Sequence, residues 1–227
     1  MKNLLENDLP AFYCVGRRCI CDENITSLNE FDITEDDTQF VVDYKKGYAS
    51  FCGNPFNLSV VNYDTYIGKY TGTKIADGKR RCDFILTDTG TDNVIILCEV
   101  TSSIGGIENL SRPIEKTKKD GTRTVVFPRG KYQKVELQLY QSLETLTEVP
   151  SIASYINSKK RKVCLMSYLI KRTENNAINA FNRNRLMEAE EAGENGAQIS
   201  CPQIEQFGFD YYRISHDYSF KIDNNRK

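Results

Sequence analysis

The chain has 227 residues, of which 40% are hydrophobic and 11% aromatic, as in a globular protein rather than a disordered one. Its 30 basic and 31 acidic residues give a net charge of −1, which argues against a basic coat protein but allows a local basic surface. No apolar run is long enough for a membrane span, and the N-terminus lacks a signal-peptide pattern. We therefore expect a cytoplasmic protein with reduced cysteines.

The first 70 residues are predicted to form a β-rich segment belonging to the same domain as the rest of the chain. Residues 38–44 and 57–64 have the β-branched and aromatic content of short strands. Glycine, asparagine and proline separate the two strands. The three cysteines near the start could hold zinc, but they lack CxxC spacing and a second pair of ligands; they are Cys14, Cys19 and Cys21.

Residues 71–227 are predicted to form an α/β core, whose pattern sharpens at residue 79. Two apolar runs, 80–88 and 94–103, flank a turn containing glycine and aspartate, which predicts an antiparallel hairpin. The second run is apolar on both faces as far as Glu99, as in a buried central strand. Residues 102–130 are predicted to be a long functional loop with one short strand near its end.

The rest of the chain alternates between helices and strands. Residues 131–149 carry apolar side chains at helical spacing, and the helix is predicted to end before Pro150. A strand at 162–172, a helix at 176–196 and a strand or hairpin arm at 207–220 follow. This order predicts an α/β fold with a mixed central β-sheet flanked by helices.

The hairpin carries two carboxylates that side-chain alternation places together. Asp83 lies on one strand and Glu99 on the other, roughly opposite each other at the end away from the turn. Two carboxylates among apolar neighbours repel each other, and a hard divalent cation such as Mg²⁺ removes that repulsion. The alternative is that each carboxylate pairs with a loop lysine or with a nearby basic residue, namely Lys79, Arg80 or Arg81.

Four successive features span about residues 79–172: the segment KRRCDFILTD, the apolar strand ending in Glu99-Val100-Thr101, the helix carrying Gln138 and the strand after it. Together they resemble the core of the PD-(D/E)XK nuclease superfamily. The resemblance implies a restriction-endonuclease-like fold in which Asp83, Glu99 and the carbonyl of Val100 bind Mg²⁺ or Mn²⁺. It also implies that Gln138 matches the helix glutamine of the family. The implied activity is hydrolysis of DNA, in bacterial genome defence or restriction, with partner protein subunits or as a homo-oligomer.

One position departs from the family pattern, because Thr101 stands where the family has a lysine. A threonine hydroxyl cannot supply the positive charge that stabilises the attacking water and the transition state. Lys134, one helical turn before Gln138, is the first candidate to replace that lysine. Lysines predicted to contact DNA phosphates are Lys116, Lys118, Lys119 and Lys131, and the last three are weaker candidates for the same role. Otherwise the site is degenerate, and the fold binds nucleic acid or a partner protein without cleaving.

Several other features stay open at this point. A third carboxylate could come from Glu6, Asp64 or Glu136. Basic runs at 79–81, 116–119 and 159–162 are typical of solvated turns. The single histidine, His216, and the tyrosines near it are predicted to be structural, since alternating aromatics in a strand usually pack in a core.

Overall fold

The computed structural model describes residues 1–34, 49–90, 92–101, 114–117, 123–126, 130–169 and 187–223. Over these ranges the chain forms a seven-stranded mixed sheet, a three-stranded sheet and a two-stranded hairpin. Helices cover one face of the large sheet and the three-stranded sheet covers the other. The predicted α/β fold with a mixed central sheet is therefore confirmed at this level.

The described residues contain twelve strands: β1 (Glu23–Thr26), β2 (Phe31–Ile33), β3 (Ala49–Cys52), β4 (Leu58–Asn62), β5 (Phe84–Asp88), β6 (Val94–Thr101), β7 (Ile114–Thr117), β8 (Arg123–Val126), β9 (Arg161–Tyr168), β10 (Ala197–Gln198), β11 (Asp210–Ser215) and β12 (Ser219–Lys221). The helices are a π-helical turn (Leu4–Asp8), α1 (Leu9–Phe12), α2 (Tyr63–Gly68), α3 (Lys131–Thr147), α4 (Pro150–Ser158), α5 (residues 187–192), a 3₁₀ turn (Gly193–Asn195) and α6 (Pro202–Glu205). Among the described residues, no helix is both long and apolar enough to cross a membrane.

The large sheet has the strand order β1-β4-β5-β6-β9-β11-β10. Its strands β6, β9 and β11 are parallel to one another, and every other neighbouring pair is antiparallel. Since a parallel neighbour requires a crossover, α3 and α4 lie between β6 and β9 in the chain and pack on one face of the sheet. Strands β1 and β4 from the first 70 residues belong to this same sheet.

Side-chain alternation on the central strand separates two apolar cores. Ile95 and Leu97 of β6 face the helices, whereas Ile96 and Cys98 face the three-stranded sheet. Helix α3 buries the residues that its apolar spacing predicts, which are Val135, Leu139, Leu143 and Leu146. The tyrosines of β11 divide in the same way, because Tyr211 lies in the helix-side core and Tyr212 in the opposite one. Their predicted structural role is confirmed.

The structure confirms or extends some predictions and corrects others. Helix α3 ends before Pro150, as predicted, and Pro150 begins a further helix, α4, in which a proline at the first position loses no hydrogen bond. The segment predicted to be a long loop contains the hairpin β7–β8. The segment 207–220 forms two strands in different sheets instead of one arm. The strand predicted at 38–44 and most of the helix predicted at 176–196 lie outside the described residues.

Candidate metal centre

The β5–β6 hairpin places Asp83 and Glu99 on the same face of the large sheet. The register pairs Ile85 with Leu97 and Phe84 with Cys98, so the next position along each strand brings Asp83 opposite Glu99. This face is the one covered by helices, as the alternation of side chains predicts. The Asp83 carboxylate accepts a hydrogen bond of 2.7 Å from the backbone N–H of Val100. This bond joins the two strands at the end of the hairpin away from the turn, which we call the hairpin mouth.

The Glu99 carboxylate is buried, with 6% of the residue exposed. Its Oε1 accepts a hydrogen bond of 2.6 Å from Nε2 of Gln138, which also donates to the carbonyl of Arg81 at 3.2 Å. Its Oε2 is buried, and no donor within the described part of the chain reaches it. A buried carboxylate oxygen without a donor costs free energy, and a bound cation would remove that cost.

Burial and charge act in the same direction on Glu99. Burial is the larger cause, and with the nearby Asp83 carboxylate it raises the pKa of Glu99 well above its usual range. The carboxylate of Asp64 adds to the rise, whereas hydrogen bonds from the Gln138 amide and from the backbone of Asp83 oppose it. A divalent cation at this point would reverse the balance, because it favours the ionised form of both carboxylates.

Helix α3 fixes the chain just before Asp83. Three polar contacts join the two: Arg80 N–H donates to Gln141 Oε1 at 2.7 Å, Cys82 N–H donates to Ser142 Oγ at 2.8 Å, and Gln138 donates to the Arg81 carbonyl. The sequence analysis identified Gln138 but missed Gln141 and Ser142. Their only signal is that they follow Gln138 by three and four positions, which places both of them one helical turn after it on the same side of the helix.

Of the three candidates for a third carboxylate, Asp64 lies beside the pair. The backbone N–H groups of Tyr63 and Asp64 donate to the carbonyl of Asp83 at 2.8 Å and 3.2 Å. The other two candidates are used elsewhere, since Glu6 accepts from the N–H of Cys21 and Glu136 pairs with Arg213.

The basic residues just before the hairpin take partners other than the acidic pair. Lys79 forms an ion pair with Glu148 at 3.3 Å, and Arg81 forms one with Asp64. Arg80 contacts α3 through its backbone N–H alone among the described residues. The loop lysines that were the other alternative lie on β7 or outside the described residues.

Of the candidates for the missing lysine, Lys134 makes no described contact with the acidic pair. Thr101 ends β6 and is partly buried. Lys134 is exposed on α3, and its side chain makes no hydrogen bond or ion pair with any described residue. Lys131 begins α3 and Lys116 lies on β7, while Lys118 and Lys119 lie outside the described residues.

The donor set available at the hairpin mouth is two carboxylates, with the Val100 carbonyl as a further oxygen. Within the described ranges, no group of three or more histidine, cysteine, aspartate or glutamate side chains is placed to hold a metal ion. That finding includes Cys14, Cys19 and Cys21, which are free thiols. Two carboxylates and a carbonyl still fit Mg²⁺, which retains several waters and takes one or two protein carboxylates.

The other end of the same hairpin holds a buried ion pair that the sequence analysis missed. Asp88 and Lys159 approach to 3.1 Å, and each side chain is 1% exposed. The Lys159 ammonium also lies 4.4 Å from the centre of the Tyr155 ring. The prediction of a solvated turn at 159–162 is therefore wrong for Lys159, because a run of basic residues in the sequence does not show which side chain is buried.

Comparisons of the chain with family models, curated proteins and solved structures gave no match. Interpretation of the site therefore depends on its own geometry. The property that separates it from the rest of the described chain is a buried carboxylate, Glu99, that lies beside the partly buried Asp83 and has one oxygen without a described donor.

Proposed function

We propose that this protein is a Mg²⁺- or Mn²⁺-dependent nuclease that hydrolyses DNA phosphodiester bonds, with a restriction-endonuclease-like fold. The observation that carries the proposal is the Glu99 carboxylate, which is buried beside Asp83 and has no donor to its Oε2 among the described residues. A structural carboxylate in such a place would be expected to have a cationic partner in the protein. The proposed biological setting is bacterial genome defence or restriction in the cytoplasm, with partner subunits or as a homo-oligomer.

The protein's own groups have distinct roles in this proposal. Asp83, Glu99 and the Val100 carbonyl would hold the cation, which polarises the phosphate and stabilises negative charge in the transition state. Gln138 orients Glu99 and ties it to the backbone of Arg81. The N–H of Val100 holds the Asp83 carboxylate across the hairpin mouth. Lysines from the segment 102–130 would meet DNA phosphates.

Lys134 is assigned a weaker part than the sequence suggests. Its side chain is exposed and makes no hydrogen bond or ion pair with any described residue, so it would have to reach the substrate from solvent when DNA binds. Lys131, Lys118 and Lys119 stay candidates for the same positive charge.

A second candidate function follows from Thr101. The position two residues after Glu99 carries a neutral hydroxyl in place of a lysine, and Lys134, the first candidate to replace that lysine, makes no hydrogen bond or ion pair with any described residue. A protein with this arrangement could bind a cation and nucleic acid, or a partner protein, without cleaving.

Cleavage assays with site variants test the first function and separate it from the second. The purified protein is incubated with linear, supercoiled and single-stranded DNA, and with RNA, in Mg²⁺ or Mn²⁺. Wild type should cleave DNA, while Asp83→Asn and Glu99→Gln should each lose about a hundredfold or more of the rate. Glu148→Gln is the matched control, because its carboxylate pairs with Lys79 away from the site.

Full cleavage by Asp83→Asn or Glu99→Gln would refute the site. If wild type cleaves none of the substrates but binds DNA, the non-cleaving function is favoured. Lys134→Ala is tested in the same assay, and unchanged cleavage by this variant removes Lys134 from the mechanism.

A further inference from the structure

Two segments distant in sequence form one surface beside the hairpin mouth. Residues 13–22 pack along residues 63–82, and we call their joint exposed surface the basic face. Arg17 donates to the carbonyl of Thr71 at 3.2 Å, and Lys69 donates to the carbonyl of Ile20 at 2.9 Å. The N–H of Cys19 donates to the hydroxyl of Tyr70 at 2.9 Å. The two segments therefore present their charges together.

The basic face concentrates positive charge in a nearly neutral protein. Its two segments contain seven of the 30 basic residues but three of the 31 acidic ones, so the rest of the chain is net acidic. Four of the seven are exposed and have no ion-pair partner among the described residues: Arg17, Arg18, Lys74 and Arg80. Uncompensated charge on one face is the electrostatic pattern of a surface that meets a polyanion.

The basic face is continuous with the candidate metal centre. Arg81 belongs to the face, and its carbonyl shares the Gln138 amide with the Glu99 carboxylate. Its guanidinium pairs with Asp64 through Nε, and its terminal nitrogens make no hydrogen bond with any described residue. A phosphate near the carboxylates would therefore lie at the border of this surface.

The other described basic run lies at the opposite end of the hairpin. Residues 159–162 adjoin the turn between β5 and β6, where Lys160 N–H donates to the carbonyl of Asp92. Lys159 is buried in its ion pair with Asp88, and Lys160 contacts Asn93. The two basic runs therefore differ in position, since one borders the acidic pair and the other is separated from it by the length of β6.

We propose that the basic face binds the phosphodiester backbone of DNA and leads it to the acidic pair. This inference rests on the proposed function, because it names the surface on which that function would hold its substrate. Each phosphate contact releases condensed counterions, so the affinity should depend on salt and little on base sequence.

Binding by two charge-matched triple variants tests the basic face. The first, R18Q/K74Q/R80Q, removes three exposed charges from the face, and the second, K160Q/K162Q/K221Q, removes three from the turn end of the molecule. Fluorescence anisotropy of a short labelled duplex is measured in EDTA over a series of KCl concentrations, so that cleavage plays no part. Circular dichroism melts verify that both variants fold as wild type does.

The first variant should bind at least about tenfold more weakly than wild type, and its plot of log affinity against log salt should be less steep by about 3. The second should bind as wild type does. Equal losses in both variants, or none in the first, would overturn the proposal. So would binding of wild type to vesicles of phosphatidylserine but not to DNA. Because binding is read without Mg²⁺, a failure of cleavage is recorded separately from a failure of the basic face.

Discussion

The two ends of the β5–β6 hairpin each bury a carboxylate, but among the described residues only Asp88, at the turn end, has a lysine paired with its buried carboxylate. At the turn end, Asp88 and Lys159 form an ion pair whose side chains are both 1% exposed. At the mouth, Glu99 lies beside a second carboxylate, and the described donors to it are neutral amides, those of the Gln138 side chain and the Asp83 backbone. The two ends of the hairpin therefore differ in the charge that lies next to the buried carboxylate.

The difference teaches how to separate a structural carboxylate from a candidate functional one. A buried charge must be neutralised or protonated, since leaving it bare costs several kcal/mol. Asp88 is neutralised by a lysine that has no exposed surface for any other task. Glu99 has no cationic partner among the described residues, and we propose that an external cation neutralises it. Burial alone did not distinguish them, whereas the sign of the neighbouring charge did.

Removing the lysine at the turn end should have the largest effect. Lys159→Met leaves the Asp88 carboxylate buried without its ammonium partner, so we expect the free energy of unfolding to fall by about 3–5 kcal/mol. Urea unfolding followed by circular dichroism measures the change. The double variant Asp88→Asn/Lys159→Met removes both charges and should recover much of the loss. A loss below about 1 kcal/mol in the single variant would show that the pair is not structural.

Replacing Glu99 at the mouth should raise the free energy of unfolding instead of lowering it. The folded-state pKa of Glu99 is raised above an unfolded value of about 4.3, so the folded protein holds the extra proton. Its contribution to stability is fully present below that unfolded value and is lost as the pH rises toward the raised pKa. Glu99→Gln cannot ionise and escapes this loss.

We therefore expect Glu99→Gln to gain stability relative to wild type between pH 5 and pH 8, by about 1–2 kcal/mol in EDTA. Urea unfolding of both proteins over this pH range measures the gain. The informative quantity is the change with pH in the stability difference between Glu99→Gln and wild type, because any effect of the amide that does not depend on pH cancels in it. If the stability difference between the two proteins is the same from pH 5 to pH 8, Glu99 is ionised and already neutralised by the protein.

A smaller effect is expected from the glutamine that holds Glu99. Gln138→Met and Gln141→Met each remove one side-chain contact to the backbone of residues 80–81, so each should cost about 1 kcal/mol in stability. Only Gln138 also contacts Glu99. Weaker Mn²⁺ binding, by about tenfold, should therefore occur in the first variant alone. Equal Mn²⁺ affinity in the two variants would limit Gln138 to a structural role.

The sequence predicted the hairpin because alternation and apolar runs are local signals. The opposition of Asp83 and Glu99 follows from the same alternation. Helix α3 was also predictable, since Val135 and Leu139 recur at helical spacing. The existence of α4 was not, because Pro150 is compatible both with ending one helix and with beginning the next.

Contacts between distant segments could not be predicted in this way. The pairing of Asp88 with Lys159 joins residues 71 positions apart, and a basic run does not reveal which of its members turns inward. The basic face also depends on contacts between distant segments, since nothing local in the sequence indicates that residues 13–22 pack beside residues 63–82. The preference for Asp64 over Glu6 and Glu136 as neighbour of the acidic pair also required the fold.

The most direct test of the difference between the two ends is Mn²⁺ binding followed by electron paramagnetic resonance. Wild type is compared with Glu99→Gln at the mouth, Asp88→Asn/Lys159→Met at the turn end, and Glu148→Gln as a surface control. We expect wild type and the last two variants to bind one Mn²⁺ per chain, and Glu99→Gln to bind it at least about tenfold more weakly. Equal binding by wild type and Glu99→Gln, or no binding by wild type, would contradict the proposal that the hairpin mouth is a cation site.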